Sequence, residues 1–195
     1  IPMIIHVMKR AELCEAVDNV YVATPDKEIA ECVEKYNGTP VLTVGNCLRG
    51  SDRVYEAFKQ VGGDIIVNLQ GDEPLVTPSM LKISIDTLIS DSTLSCVNLF
   101  RYISHSEAKD KNESKVVTDK NGIALYYSRE PIPTKWLGEK NIDYKAEVAV
   151  MPFTADSLID FANLEPGKLE DIESNDMLRF LENGRKIKVI QSPDD

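Results

Sequence analysis

The chain has 195 residues, of which 43% are hydrophobic, so it can bury one substantial core and is expected to form a single domain over residues 1–195. Its 32 acidic and 22 basic residues give a formal net charge of −10, which opposes broad attraction to nucleic acid or to an anionic membrane. The longest apolar runs are strand-sized, far below the roughly 20 residues that a membrane-spanning helix needs. We therefore expect neither a nucleic acid nor a membrane as partner.

The four cysteines are scattered without a C-x-x-C pair, and there are only two histidines, so neither a zinc site nor a disulfide framework is indicated. Buried free thiols in a reducing cytoplasm are the simpler interpretation. The sequence opens on Ile1-Pro2 and passes directly into an amphipathic pattern without signal-peptide features. We expect that an upstream strand and loop are absent from it.

Over the first hundred residues the apolar periodicity predicts alternating helices and strands. In chain order these are a helix at 2–16, a strand at 19–24, a helix at 26–36, a strand at 40–44, a helix at 51–61, a strand at 64–69, a helix at 77–89 and a strand at 94–100. Strands separated by helices pair in parallel through right-handed crossovers. The pattern therefore predicts a Rossmann-like, three-layer α/β fold with a mostly parallel sheet.

From about residue 113 to 151 the alternation changes. Two apolar runs flank Lys120-Asn121-Gly122, a hairpin signal, and prolines then interrupt the pattern until a strand at 146–151. This predicts an antiparallel insertion subdomain. Helices at 154–163 and 169–183 and a strand at 186–191 return the chain to the α/β layers.

Residues 64–74 read DIIVNLQGDEP, an apolar strand followed by a polar turn. Open α/β sheets bind ligands beyond the carboxyl ends of their strands, and a carboxylate there can hold Mg²⁺ together with phosphates. Asp72 is therefore the candidate metal ligand. On spacing alone a plain β-turn explains the segment equally well.

Residues 49–53 offer a site for an anion. Gly50 lets backbone approach closely, Ser51 can cap the next helix, and the helix N-terminus together with Arg53 favours negative charge. The alternative is an ordinary exposed arginine at the start of a helix.

The QGDEP turn resembles that of the 3-deoxy-manno-octulosonate cytidylyltransferases, or CMP-Kdo synthetases. Three other segments are similar to elements of that family: RGSDR at 49–53, NESKVVTDKNGIALYYSREPIP at 112–133 and LEDIESNDMLRFLENG at 169–184. The resemblance covers nearly the whole chain. It implies transfer of CMP from CTP, with Mg²⁺, to the anomeric hydroxyl of a 3-deoxy-octulosonate-type sugar acid, with release of pyrophosphate, for lipopolysaccharide or capsule precursors.

The resemblance also implies roles for single residues. The nucleotide-binding set is Arg49, Gly50, Ser51, Arg53, Gln70 and Gly71. Asp72, Arg53 and Arg129 are the implied catalytic residues, Asp72 through the metal and the arginines by offsetting charge that develops in the reaction.

Six positions are implied to face the sugar or its carboxylate: Lys115, Arg129, Glu147, Met151, Asp176 and Met177. For Lys115 and Arg129 the alternative is two surface charges on a hairpin. At 147, 151, 176 and 177 the sequence departs from the family's usual histidine, tyrosine, glutamate and glutamine. Because a carboxylate can pair with an ammonium group, Glu147 would suit an 8-amino variant of the sugar.

The acidic residues near the carboxyl end are harder to assign. Glu170, Glu173 and Asp176 are spaced as a solvated helix face would be, and we expect Glu170 to be solvated. The family's second metal-binding aspartate has no counterpart. The ending at 192–195 resembles the segment that follows it, which puts Gln191 at that position, with Asp194 as the fallback ligand.

Other functions remain open. A cytidylyltransferase for another acidic sugar, such as an acylneuraminate, would share the nucleotide and metal sites. A metal-dependent glycosyltransferase would be expected to carry an Asp-x-Asp motif, which the sequence lacks. In the family, a basic, glycine-containing loop near the N-terminus grips the triphosphate, and this sequence does not show it. A non-catalytic nucleotide-sugar binding protein would be favoured if that loop were never encoded.

The resemblance also implies a homodimer, with residues 113–151 as its contact and Trp136, Tyr126 and Tyr127 as aromatic surface. The alternative is that these aromatic rings pack within the domain. The cytoplasm, where CTP is available, is the expected location.

Overall fold

A computed structural model of the chain describes residues 1–45, 47–136 and 142–194. The helices are α1 (Met3–Ala11), α2 (Lys27–Lys35), α3 (Gly50–Val61), α4 (Pro78–Ser90), α5 (Ala155–Asn163), α6 (Lys168–Glu173) and α7 (Met177–Glu182). The strands are β1 (Tyr21–Thr24), β2 (Thr39–Leu42), β3 (Ile65–Leu69), β4 (Cys96–Ile103), β5 (Lys115–Thr118), β6 (Ala124–Ser128), β7 (Tyr144–Val148), β8 (Val150–Thr154) and β9 (Ile187–Gln191).

Several helices begin at capping residues that the sequence shows directly. Asp26 accepts a hydrogen bond from the Glu28 N–H at 2.8 Å at the start of α2. The Thr77 hydroxyl accepts a hydrogen bond from the Met80 N–H at 3.3 Å, just before the proline that begins α4. Such local signals explain why the order of helices and strands was predictable.

The prediction of a mostly parallel sheet was wrong. β1 and β2 form a separate parallel pair, whereas in the seven-stranded sheet the pairings β3–β8, β8–β4, β4–β7, β7–β5 and β5–β6 are all antiparallel. Among the described strands of this sheet, only β9 pairs in parallel, with β4. β3, β4 and β9 do run in one direction, as helical crossovers require, but β8 lies between β3 and β4, and β7 lies between β4 and β5.

The hairpin signal at residues 120–122 was correct: β5 and β6 are antiparallel and joined there. Gly122 adopts a positive φ of 74°, and its carbonyl accepts a hydrogen bond from the Val189 N–H at 2.8 Å. A bridge from Ile123 to Lys188 brings the hairpin back to β9. The strands β9, β4, β7, β5 and β6 therefore curl nearly into a ring.

Helices cover both faces of the large sheet, which supports the three-layer prediction. On one side the core contains Phe153 of β8, Phe161 of α5 and Phe180 of α7, whose ring centroids lie 5.2–6.1 Å apart. On the other side Val7 of α1 and Leu81 of α4 pack against the sheet. None of the helices in the described residues is long and apolar enough to cross a membrane.

A cavity of about 730 Å³ separates the two sheets. It lies between β1 and β3 and is lined on its flanks by α1, α3 and α4. Among the described residues β1 pairs only with β2, and β3 only with β8. The start of α3 and the turn after β3 both open onto this cavity.

Candidate active site

The first turn of α3 meets the turn that follows β3. A Cβ atom added to Gly50 would lie 2.8 Å from Gln70 Nε2, closer than side-chain atoms tolerate. Glycine at position 50 therefore allows the two predicted nucleotide-binding residues to touch. The neighbouring Gly71 is exposed. The structure thus brings Gly50, Gln70 and Gly71 to one edge of the cavity.

Arg53 lies one turn further along α3 and lines the same cavity. Its Nη1 donates to Thr43 Oγ1 at 2.9 Å, which holds the half-buried guanidinium beside the helix N-terminus. A helix N-terminus and a guanidinium together favour an anion. This is the arrangement that the predicted phosphate-binding role of Arg53 requires.

Arg49 does not face the cavity in the way that the predicted nucleotide contact requires. Its guanidinium turns to the α6–α7 segment, where it donates to Ser174 Oγ at 2.8 Å and to the Glu170 carbonyl at 3.1 Å. It also pairs with the Asp171 carboxylate at 3.4 Å. The carboxylates of Asp171 and Glu170 and the Glu170 carbonyl lie within its reach there, so Arg49 anchors the start of α3 instead.

Ser51 is not the helix cap that the sequence suggested. The capping position belongs to Arg49, whose N–H donates to the Asp52 carboxylate at 3.1 Å. Ser51 lies inside α3, fully buried, and donates to Asp176 Oδ2 from its hydroxyl at 2.6 Å. Asn68 of β3 in turn donates to the Ser51 hydroxyl at 3.0 Å. Ser51 therefore has a structural role, because it joins α3 to β3 and to Asp176.

Asp72 is exposed directly after β3, beside Gln70 and Gly71. The adjacent Glu73 is half-buried and accepts a hydrogen bond from the Ala149 N–H at 3.2 Å. Burial, with a smaller contribution from the Asp72 charge, raises the pKa of Glu73 above its usual value. Glu73 thus anchors the turn, and Asp72 is its open carboxylate.

The chemistry of this turn suits Mg²⁺, because that ion is usually held by one or two carboxylates together with substrate phosphates. Among the described residues no group of three or more histidine, cysteine or acidic side chains forms a protein-only metal cage. Gln191 is exposed at the end of β9, which runs in the same direction as β3. Gln191 as a second ligand stays a prediction.

Asp194 has a different role from the predicted fallback ligand. Its carboxylate accepts hydrogen bonds from the hydroxyls of Ser79 and Thr77 at the start of α4, and these bonds lower its pKa. Its Oδ2 atom is therefore engaged in holding the end of the chain against α4. Asp195 of the predicted ending lies outside the described residues.

The two cations predicted to meet the triphosphate or the sugar carboxylate are engaged with the backbone. Lys115 is fully buried, and its ammonium donates to the carbonyls of Asp110, Glu113 and Arg129 at 2.9, 2.6 and 2.5 Å. Burial, followed by the charge of Arg129, lowers its pKa. Lys115 is a structural residue that joins two loops.

Arg129 is engaged in the same way. Its Nε donates to the Glu173 carbonyl at 3.0 Å, its Nη2 to the Ser174 carbonyl at 3.1 Å, and its Nη1 to the Asn112 carbonyl at 2.6 Å. All three guanidinium nitrogens thus have backbone acceptors. The structure gives Arg129 the role of tying the β5–β6 hairpin to α6, and not the predicted catalytic role.

Glu147 and Asp176 do come together. Glu147 is half-buried, and its Oε2 accepts a hydrogen bond from Asn175 Nδ2 at 2.6 Å. Burial, and then the charge of the nearby Asp176, raises the pKa of Glu147 to about 7. Two carboxylates therefore share one pocket beside Asn175 and the buried Ser114.

Met151 and Met177 do not line this pocket. They are 1% and 0% exposed and belong to the main core cluster with Phe153 and Phe180. Met151 pairs with Asn68 across β3 and β8, so its side chain points into the layer of α5 and α7. Their predicted sugar contacts were wrong because the apolar side chains complete the core.

Glu170 is not solvated. It is 0% exposed and is paired with Arg179, which is 2% exposed, through two hydrogen bonds of 2.7 and 2.9 Å. The sequence interpretation missed Arg179 altogether. The sequence feature that could have identified Arg179 as buried is its position in MLRFL, where apolar residues flank it on both sides.

The model of the family described as cytidylyltransferase matches residues 1–187. The chain belongs to this family. It is 41% identical over 192 residues to 3-deoxy-manno-octulosonate cytidylyltransferase of Anaeromyxobacter sp. (strain Fw109-5), covering 96% of this chain and 77% of the relative. It is 38% identical to the enzyme of the same name from Desulfatibacillum aliphaticivorans, covering 97% of this chain and 79% of the relative.

A solved structure of CMP:2-keto-3-deoxy-manno-octonic acid synthetase complexed with CTP has the same fold. The TM-score is 0.90 and the identity 33%, and the match covers 97% of this chain and 78% of the other. The resemblance inferred from the QGDEP turn and its companion segments is thereby confirmed.

Proposed function

We propose that the protein is a 3-deoxy-manno-octulosonate cytidylyltransferase, which transfers CMP from CTP to the anomeric hydroxyl of a 3-deoxy-octulosonate-type sugar acid. The observation that carries this proposal is the 41% identity to an enzyme of that name over 96% of the chain. The contact between Gly50 and Gln70, with Arg53 beside it, supplies a matching edge for a nucleotide. The product would serve as a precursor of lipopolysaccharide or capsule.

In the reaction the anomeric oxygen attacks the α-phosphorus of CTP, the bond to the β-phosphate oxygen breaks, and pyrophosphate leaves with that electron pair. The N-terminus of α3 and Arg53 bind and neutralise phosphate oxygens. Asp72, with Gln191 as the second ligand, would hold Mg²⁺, which supplies charge neutralisation and a lower pKa for the attacking hydroxyl. The surrounding turn is held in place by Glu73 and Ala149.

An amino-substituted sugar acid is the second candidate substrate, and the pair of Glu147 and Asp176 favours it. Two carboxylates in one pocket attract an ammonium group and repel the carboxylate of the sugar. An acylneuraminate-like acid is a third candidate substrate, which would use the same nucleotide edge, and the experiment below includes it.

Location and assembly are further parts of the proposal. Use of CTP favours the cytoplasm. A homodimer through residues 113–136 and 142–151 is supported by Trp136, which is 87% exposed. Tyr127 cannot contribute to that surface, because it is fully buried and its hydroxyl donates to Asn98 at 3.1 Å. Residues 137–141 of the predicted contact lie outside the described residues.

Pyrophosphate release from CTP and Mg²⁺ tests the proposal, with 3-deoxy-manno-octulosonate, its 8-amino analogue and an acylneuraminate as acceptors. We expect turnover with one octulosonate and a loss of at least roughly 100-fold in Asp72→Ala. Asp64→Ala is the matched control, because Asp64 is equally exposed but lies before β3 instead of after it. CTP binding without pyrophosphate release from any acceptor would indicate a nucleotide-binding protein instead.

A further inference from the structure

Arg179 lies in α7, and its side chain does not line the cavity between the two sheets. Its guanidinium donates to both oxygens of Glu170, at 2.9 and 2.7 Å, and to Asp52 Oδ1 at 2.8 Å. It also stacks over the Phe161 ring, 4.2 Å from the centroid. Three hydrogen bonds and an aromatic face leave this buried side chain one orientation.

Arg49 closes a ring with these residues, through its backbone N–H on one side and its guanidinium on the other. The Asp52 oxygen that Arg179 does not use accepts from the Arg49 N–H at 3.1 Å. Glu170 lies 3.5 Å from the Arg49 guanidinium. Two cations and two anions therefore join the first turn of α3 to α6 and α7, two elements more than a hundred residues further along the chain.

The ring connects the two halves of the site. On the nucleotide side, Gly50 lies between Arg49 and Ser51 and touches Gln70. On the sugar side, α7 begins directly after Asp176, and the preceding Asn175 donates to Glu147 at 2.6 Å. A rotation of α7 relative to α3 would change the distance between these halves.

Stability alone does not account for such a ring. A buried ion network gains little net free energy, since desolvation offsets attraction, and apolar residues of similar size often do as well. Bidentate arginine–carboxylate pairs do fix geometry closely. In reactions of two bound substrates, a misplacement of about 1 Å can cost roughly 100-fold in rate.

We propose that Arg179 is a positioning residue that locks the nucleotide-side first turn of α3 to the sugar-side segment 170–176. This inference rests on the proposed function, because both halves must hold substrates for the lock to affect the rate.

Arg179→Lys tests the lock, since lysine keeps the charge but loses the guanidinium fork. The matched control is Arg185→Lys, because Arg185 also pairs with a carboxylate, that of Asp160, but on the surface. We expect Arg179→Lys to lower kcat at least roughly tenfold while KM for CTP changes less than about threefold. We also expect faster amide hydrogen exchange at residues 51–53 than in the control.

A purely structural role would lower the melting temperature and leave the kcat of folded enzyme unchanged, and that result would overturn the proposal. Unchanged exchange at residues 51–53 would overturn it as well, whatever the rate. If the wild-type protein turns over no sugar, the proposed function fails, while the exchange measurement still tests whether Arg179 locks the two segments.

Discussion

Ser51 donates two hydrogen bonds to the same oxygen of Asp176, from its backbone N–H at 3.2 Å and from its hydroxyl at 2.6 Å. The same hydroxyl accepts from Asn68 at 3.0 Å. A short polar chain therefore runs from the centre of β3 through α3 to the start of α7, next to Glu147. It links β3, α3 and the start of α7 without containing a predicted catalytic group.

Ser51→Ala tests this chain. It removes the acceptor of the Asn68 amide and one donor to Asp176, both in a buried setting, so we expect unfolding free energy to fall by about 1–3 kcal/mol. Ser90→Ala is the control, because Ser90 is exposed and its hydroxyl bonds only within α4. Urea denaturation measures both. Equal stability of the two variants would show that this series of hydrogen bonds does not contribute to the free energy of unfolding.

Glu147 predicts a pH dependence of stability. Its pKa is raised from 4.5 to about 7 in the folded protein, so the folded state holds this proton more tightly than the unfolded chain. The stabilisation is fully present below pH 4.5 and is lost as pH rises through about 7. We expect Glu147→Gln, which does not titrate, to gain roughly 2 kcal/mol relative to wild type between pH 5 and pH 8.

Denaturation curves at those two pH values, with the exposed Glu34→Gln as control, measure this gain. The carboxylate of Asp176 and the guanidinium of Arg129 face Glu147, and both are retained in Glu147→Gln, so the comparison with this variant reports Glu147 itself. A constant difference between wild type and Glu147→Gln would rule out the raised pKa.

Lys115→Met separates a structural from a sugar-binding role. The ammonium serves three backbone carbonyls, and their loss is expected to lower unfolding free energy by about 3 kcal/mol. The folded fraction should keep its KM for the sugar. Lys82→Met, at an exposed pair with Asp86, should leave stability near wild type. A raised sugar KM at normal stability would instead restore the role that the family resemblance implied.

Gly50→Ala tests the contact at the nucleotide edge. The new Cβ would lie 2.8 Å from Gln70 Nε2 and displace that side chain, so we expect KM for CTP to rise roughly tenfold. In a Gln70→Ala background the clash is gone, and the same change should then have little further effect. An equal effect in both backgrounds would place its cause elsewhere, for example in the helix start.

Local signals made most of the helices, the Asp26 cap and the β5–β6 hairpin predictable, because each depends on residues a few positions apart. The helix predicted at 169–183 is instead two helices, α6 and α7, and the Ser51 cap was wrong. The sheet was misjudged because β8 inserts between β3 and β4, and β7 between β4 and β5, pairings that no local pattern encodes. For the same reason alternation by helices indicated strand direction correctly but not strand neighbours.

The same distinction between local and long-range contacts applies to the residues of the candidate site. That Gly50 and Gln70 lie at the sheet edge could be predicted from short motifs, since each turn holds its own residue there, and their nucleotide-binding role stays a prediction. The partner of a charge is decided by how separate elements pack: Glu170 looked solvated, but its carboxylate pairs with Arg179 of α7 and lies 3.5 Å from the Arg49 guanidinium at the start of α3. Lys115 and Arg129 were assigned to substrate although their hydrogen bonds go to backbone carbonyls.

The return of the hairpin to β9 has a consequence for synthesis. β4 pairs with β9 along residues 96–100, and Lys188 bonds to the Asn121 carbonyl, a contact that spans 67 positions. During synthesis, β4 and β6 therefore cannot complete their contacts until β9 has left the ribosome, and such long-range pairing is slow. Until then both strands expose an open edge, and the unfinished chain is at its most prone to aggregation.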